Sequence, residues 1–534
     1  MIVRSRMTMR SGGRIAGLIA ATALMLLAGA PIRAETVLHV APHADLKILD
    51  PQTNTATITL MHGLMVYDML YSWDEDLKPR PQMVESETIS ADKLTYTFVL
   101  RPGLKFHDGS AVTTRDVIPS LKRWMVRDVM GQKLAQFASE MRAVDDKTFV
   151  LQLKEPFPFV EIALGASGGT MPVILREKEA MTDPFTNITE AIGSGPFRFV
   201  RSEWVPGAKV VYEKNPDYIP RAEPASGLAG GKVVKVDRVE FNVLPDPTTK
   251  ATALQSGEID IIDQTPHDQA GLLEKVPGIV VDILPKIANY GLLRPNSLYP
   301  PFNNVKARQA LAMMVNQEDY MAAAFGDKKW WRACFSYFVC DSPNGTEAGS
   351  DAYRKQNIAR AKELLAESGY KGEKIIMLST HEIASIGALG DVTAANLKAI
   401  GMNVEIAETD WGTLVARRAN KNAPDQGGWN IFHTTAGGSG MYSPLTNFGT
   451  DQSCGAKNWF GWPCDDTAET LRTAYIKESD PEKQREALDA LQARELESVP
   501  FVLVGQYRQP TVWRKNISGL LRSNIIVFWN VAKS

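Results

Sequence analysis

"KIIMLS", then "DVTAANLKAIG", then "MNVEIAE" follow one another between Lys374 and Glu408. The first and last alternate like strands, and the middle has helical spacing with Gly401 as its stop. A helix joining two apolar strands returns the chain to run parallel to its start, which makes a βαβ unit. Other segments agree with an α/β chain. "DPTTKATALQSGEIDIID" offers Asp246 as N-cap, Pro247 as first helical residue, Gly257 as stop and a buried strand over Glu258–Ile262. "LTYTFVLRPGLKFHDGS" predicts a hairpin whose second strand carries Leu104 and Phe106. "VTTRDVIPSLKRWM" has capping-box spacing at Thr113 and Asp116, and Pro119 inside it predicts a kink or a late helix start. "DDKTFVLQLKEPFP" is a further strand, and "NIARAKELLAESGY" a further helix ended by Gly369. No low-complexity tract interrupts this alternation.

The N-terminus fixes the compartment. Arg4, Arg6, Arg10 and Arg14 precede "IAGLIAATALMLLAGA", 16 apolar residues from Ile15 to Ala30. A membrane span needs about 20, so 1–34 is expected to be a secretory signal peptide cut after Ala34. The whole chain has 59 basic against 61 acidic residues, and losing this arginine-bearing leader makes it more acidic. That balance suits a soluble periplasmic protein and gives no support for nucleic-acid binding. In an oxidising compartment Cys334, Cys340, Cys454 and Cys464 group as two local disulfides. Neither pair has CxxC spacing or a nearby histidine, which weakens a metal reading.

Catalytic signatures are poor. "GASGG", Gly165 to Gly169, matches G-x-S-x-G around Ser167, yet "TMPVIL" follows where an elbow requires a helix. "GSGPF", Gly193 to Phe197, lacks the Lys and Ser/Thr of a phosphate loop. None of His39, His43, His62, His107, His267, His381 and His433 falls in a metal motif. Trp411, Trp429, Tyr442, Trp459 and Trp462 cluster late among glycine-rich loops. Each is suited to core packing, and as a group some could line a pocket.

A series of segments then carries a family resemblance over nearly the whole exported chain. In order they are "LKILDPQT", "YDMLYSWDEDLKPRPQMVES", "YTFVLRPGLKFHDGSAVTTRDV", "GSGPFRF", "NPDY", "VDRVEFNVLPDPTTKATALQSGEIDI", "PPFNNVKARQALAMMVNQE", "GWNIF" and "DALQARELESVPFVLV". Each alone is weak; together and in order they resemble the family-5 solute-binding proteins of dipeptide, oligopeptide and nickel ABC importers. The resemblance implies an α/β, bilobal periplasmic-binding-protein fold, type II-like, with an inserted domain in the first lobe. The main domain of lobe I would be 35–77, 193–292 and 508–534, the insert 78–192, and lobe II 293–507. "GSGPF" becomes a turn into the main sheet, its glycines serving unusual backbone dihedrals. Cys454–Cys464 resembles a bridge of peptide-binding relatives.

The same resemblance implies a non-enzymatic receptor, acting as a monomer without a cofactor, that captures a small solute and delivers it to an inner-membrane permease. The alternatives are a metal- or haem-carrying member of the fold, with His43 and His433 converging in the cleft, and an exported hydrolase. Peptide-binding relatives hold the ligand amine with an Asp after the "GW" strand and the carboxylate with an Arg opposite. Here "GWNIFHTTAGGSGMYSP" has no acid and "KIIMLSTHEIASIGALGD" has no Arg. The expected contacts are therefore Asn54, His381, Trp411, Trp429, His433, Thr434, Thr435, Gly437 and Tyr442. They suit an uncharged or bulky polar cargo: a longer peptide, a modified peptide or a glycoconjugate. Alternatively, ligand charges are met from other segments, such as Asp50, Asn54 or Arg308.

Overall fold

The computed structural model describes residues 35–455, 458–478 and 480–534. The leader expected over 1–34 lies outside them. No helix among the described residues is long and apolar enough to cross a membrane.

Three sheets organise Val37–Ser534. The first has seven strands in the order Ile279–Asp282, Thr511–Arg514, Ile261–Ile262, Val37–Ala41, Arg238–Asn242, Lys209–Lys214, Phe197–Phe199. Its central strand, Val37–Ala41, is parallel to both neighbours. The second has six, in the order Trp331–Arg332, Val502–Tyr507, Asn289–Pro295, Ile431–Ala436, Lys374–Ser379, Asn403–Glu408. The third is a four-stranded antiparallel sheet of Val84–Ile89, Thr95–Leu100, Thr148–Leu153 and Ala138–Ala143.

The chain passes between the first two sheets twice, from Asp282 to Asn289 and from Tyr507 to Thr511. Strand Asn289–Pro295 already belongs to the second sheet, so this crossing ends before the residue 293 expected from the sequence. Asn289 pairs with Tyr507, which sets the two crossings side by side. The second is tied down by the Gln509 side-chain amide, donating to the Thr265 carbonyl at 2.8 Å, and by His267 Nε2, 2.9 Å from the Arg508 carbonyl.

The βαβ unit forms as the sequence requires. Lys374–Ser379 runs parallel to Asn403–Glu408, and Gly401 ends the intervening helix at φ 93°. That helix begins earlier than "DVTAANLKAIG", at Ala384. Gly387 and Gly390 weaken helix propensity locally, but burial of Ile386 and Leu389 outweighs it. Helix Pro247–Ser256 has Asp246 accepting from the Thr249 amide at 2.7 Å and stops at Gly257, φ 87°. The strand after it is only Ile261–Ile262.

Two expectations change. Leu104 and Phe106 form no second hairpin strand. "HDGS" is instead a tight turn, with Phe106 N–H bonded to the Ser110 carbonyl and Gly109 at φ 87°, and Thr95–Leu100 pairs with Val84–Ile89 and Thr148–Leu153. The helix bearing Pro119 starts at Thr114, not after the proline. Both arms of the Thr113–Asp116 capping box form, and Val117, Leu121 and Trp124 bury its inner face.

"GSGPF" does lead into edge strand Phe197–Phe199. Its glycines serve close approach, however, and not unusual dihedrals. A Cβ on Gly193 would lie 2.7 Å from the Val66 carbonyl carbon, and one on Gly195 2.7 Å from the Met65 oxygen.

Both cysteine pairs are bonded, Cys334–Cys340 and Cys454–Cys464, with Cα separations of 6.2 and 4.5 Å. Loops this short limit each bridge to about 2–3 kcal/mol of chain-entropy stabilisation. All four sulfurs should therefore resist iodoacetamide in denaturant until a reductant is added; mass spectrometry reads this, and labelling of unreduced protein would contradict it.

Candidate functional site

Parallel strands gather their following loops at one edge, and ligands of open α/β sheets bind outside the carboxyl ends of the strands. Both main sheets present such edges to one cleft. From the first lobe, His43 follows strand Val37–Ala41 and Gln264 follows Ile261–Ile262. From the second, Ile383 follows Lys374–Ser379, Trp411 follows Asn403–Glu408, and Gly437 follows Ile431–Ala436.

Three cavities lie in a row along the cleft. The inner chamber, about 50 Å3, is lined by loops of both main sheets and by Ser167 and Gly168 of the "GASGG" loop. It shares His43, Gln264 and Ile383 with a chamber of about 650 Å3. It shares Thr55, Phe448 and Trp459 with one of about 370 Å3. The cleft is closed. Lys47 pairs with Asp410 across it, and Lys133 reaches Glu469 at 2.7 Å. The "GASGG" loop abuts the backbone of Ser439 and Gly440.

The inner chamber's main charge is Arg418, at the end of helix Trp411–Arg417 and only 2 % exposed. Its guanidinium sits 4.8–5.9 Å from the ring centres of Phe460, Trp459, Trp411 and Phe432. Its Nη2 donates to Thr55 Oγ1 of the opposite lobe at 3.4 Å, and its Nε has no partner. No carboxylate lies within salt-bridge reach among the described residues, and burial alone pulls the group down to about 9. Trp429 fixes the backbone, its Nε1 donating to the Arg418 carbonyl at 3.2 Å.

Facing Arg418 from lobe I is the start of helix Thr57–Val66, where Thr55, Ala56 and Thr57 line the chamber. The N-cap, Ala56, offers no side-chain acceptor. The first intrahelical bonds are those of Thr59 and Leu60 to the Ala56 carbonyl. The N–H groups of Thr57 and Ile58 precede them and carry the positive end of the helix dipole. Elsewhere on this wall His43 Nδ1 is hydrogen-bonded to Asp263 Oδ2.

The sequence-derived contacts divide. Trp411, Thr434, Thr435 and Gly437 line the inner chamber. Asn54 lines the 370 Å3 chamber, its side-chain oxygen accepting from the Ala56 amide at 2.7 Å. Four others do not reach these walls. Trp429 is fully buried, packed on Phe432 and Trp462. His433 is 1 % exposed inside the second sheet, its pKa lowered by burial to about 3. His381 is exposed, with Asp391 and Glu408 each at 3.1 Å. Tyr442 is half-buried and lines none of the three chambers. His43 and His433 therefore do not converge, since only His43 lines the cleft.

Asp50 is spent on buried Arg123 at 2.7 Å, and Arg308 on the carbonyls of Ser498 and Phe302. Ser167 lines the chamber without an elbow, since the next helix starts only at Glu177. Arg418, a cation without a counterion in the chamber wall, was not among the expected contacts. Its signal lay in the sequence: Trp411, Leu414, Val415 and Arg418 form one i, i+3, i+4, i+7 stripe, and an arginine in an apolar stripe must point somewhere special.

Comparison with known proteins gives a consistent setting. The model of bacterial extracellular solute-binding proteins, family 5 (middle), matches residues 78–459. A probable peptide ABC transporter periplasmic-binding protein of Sinorhizobium fredii is 37% identical over 99% of both chains. A glutathione-binding protein of Pectobacterium atrosepticum is 28% identical over 78% of this chain and 77% of its own. Among solved structures, the PBP AgaA from A. tumefaciens R10 in complex with agropinic acid superposes with a TM-score of 0.77 at 23% identity, covering 93% of this chain and 99% of its own. A dipeptide-binding protein from Pseudoalteromonas sp. SM9913 in complex with Met-Leu gives 0.75 at 20% identity, covering 93% and 100%.

Proposed function

Because the chain belongs to the bacterial extracellular solute-binding proteins of family 5, we propose that it is the periplasmic receptor of an ABC importer, closing on a peptide or related polar solute. The observation that carries this reading is the cleft itself. Its walls come from two sheets joined by two short, adjacent crossings, the arrangement of a hinge. The receptor acts as a monomer, presents its closed form to an inner-membrane permease and returns the solute unchanged. Ser167 lacks an elbow and the two histidines do not meet, so neither a hydrolase nor a metal carrier is favoured.

Small-angle scattering tests the hinge. Protein refolded after denaturation, and so stripped of any bound solute, should show a smaller radius of gyration once the low-mass fraction of an envelope extract is added. An unchanged radius, together with no solute recovered from freshly purified protein, would remove the receptor reading.

A further inference from the structure

Two positive groups, one from each lobe, line the same inner chamber of about 50 Å3. Arg418 approaches from lobe II with one long hydrogen bond, an unpartnered Nε and no counterion. The open amides of the ten-residue helix Thr57–Val66 approach from lobe I. A helix N-terminus attracts anions through free N–H groups and its dipole. A buried guanidinium needs an anion to offset its lost hydration. Thr55 Oγ1, two residues before that helix, accepts from Arg418 Nη2 and from Trp459 Nε1, each at 3.4 Å.

We propose that these groups form an interlobe clasp for an acidic group of the cargo, a carboxylate or comparable oxyanion. The acid is held by Arg418 on one side and by the Thr57 amide at the helix start on the other, so it bridges the lobes it closes. This deepens the receptor reading above and rests on it. Size supports the arrangement. The inner chamber, about 50 Å3, admits a small headgroup, while the body of the solute occupies the adjoining 370 Å3 chamber lined by Trp459, Trp462 and Asn54. The clasp reads the acid and not an amine: no acidic side chain lines the inner chamber, and in the adjoining one Asp128 already accepts from Met130, Gly131 and Thr170, and Asp451 from Ser453.

The probes are the tripeptide Ala-Ala-Ala, its N-acetyl form, and its C-terminal amide, titrated calorimetrically into the refolded full-length chain. The two free acids should bind alike, and the amide at least 30-fold more weakly. Arg418→Met should equalise acid and amide. Thr57→Pro is the second arm. Proline is favoured at a first helical position and Ala56 is already extended, so the helix persists while one N–H is lost. It should weaken the free acid about tenfold relative to Thr57→Ala, which keeps the N–H, with the melting temperature unchanged.

An amide that binds as well as the acid, or an acid preference that survives Arg418→Met, overturns the clasp. Mass spectrometry of whatever co-purifies with the parent protein decides the case in which no tripeptide binds. A solute with an acidic group that is absent from purified Arg418→Met supports the clasp. A solute without one overturns it and leaves the receptor reading intact. No solute at all, with no closure in scattering, overturns both.

Discussion

The empty Arg418→Met protein should already be closed. In the closed cleft Arg418 is 2 % exposed and has no anionic partner, and burial pulls its guanidinium down to about 9. An arginine stays protonated at neutral pH, so closing on nothing would strip water from a cation and return little. The surrounding rings offset part of that cost, since cation–π contacts give about 0.5–2 kcal/mol. The sign follows from the shift. A folded-state pKa lowered from 12.5 to about 9 means the charged form is disfavoured in the closed cleft at every pH below about 9. The penalty is therefore fully present from pH 5 to 8 and would fade only in strong alkali. Methionine has similar length and packs against Trp411, Phe432, Trp459 and Phe460 without it. Replacing buried ionic groups by such residues is commonly worth about 1–4 kcal/mol, which would move the ratio of closed to open molecules by roughly 5- to 1000-fold. Scattering from the stripped variant should give the compact radius of the loaded parent, and its tryptophan emission should not respond to solute. A variant as open as the empty parent would show that Arg418 does not hold the cleft open.

How much of this was legible before the structure depended on the range of the physics. The βαβ unit is written locally, in period-2 strands and a helix ended by Gly401. The cap at Asp246 and the Thr113–Asp116 box are equally local. Both cysteine pairs were readable because each closes a short loop. The cleft was not, because it is made by distant segments meeting. "ARRAN" shows two adjacent arginines with nothing to separate them. Arg417 faces out, bonded to the carbonyls of Gly427 and Gly428, and Arg418 faces in. Only the phase of the Trp411–Leu414–Val415 stripe distinguishes them. The same blindness misplaced Trp429 and His433. His433 lies in a strand inside the second sheet with both faces covered, and Trp429 just before it, so a polar or aromatic residue there carries no mark of whether it meets the cleft. The glycines of "GSGPF" were recognised but misattributed, since close approach to the Met65–Val66 backbone is a tertiary fact.

Gly168→Ala should have the opposite effect and leave the protein open even when solute is present. Gly168 lies in the "GASGG" loop and Gly440 in the loop after second-sheet strand Ile431–Ala436, and their backbones meet across the closed cleft. A Cβ at 168 would lie 2.5 Å from Gly440 Cα and 2.6 Å from the Ser439 carbonyl carbon. Main chain cannot rotate away as a side-chain tip can. The clash must be relieved by parting the loops, and therefore the lobes. Gly168 has no left-handed φ, so alanine introduces no backbone strain of its own and the open form is untouched. Overpacking by one such group costs about 1–3 kcal/mol. Charged entirely to the closed state, that is roughly 5- to 150-fold in apparent affinity. Gly437→Ala is the control: it stands in the neighbouring loop, but its Cβ would meet nothing nearer than Ser439 Oγ at 4.0 Å. The experiment is calorimetry with the co-purified solute, alongside scattering at saturation. Weaker binding and a larger radius for Gly168→Ala, with a parental radius for Gly437→Ala, are expected. A parental radius in both variants at saturation would mean that the "GASGG" loop moves aside, and that closure is not set by this backbone contact.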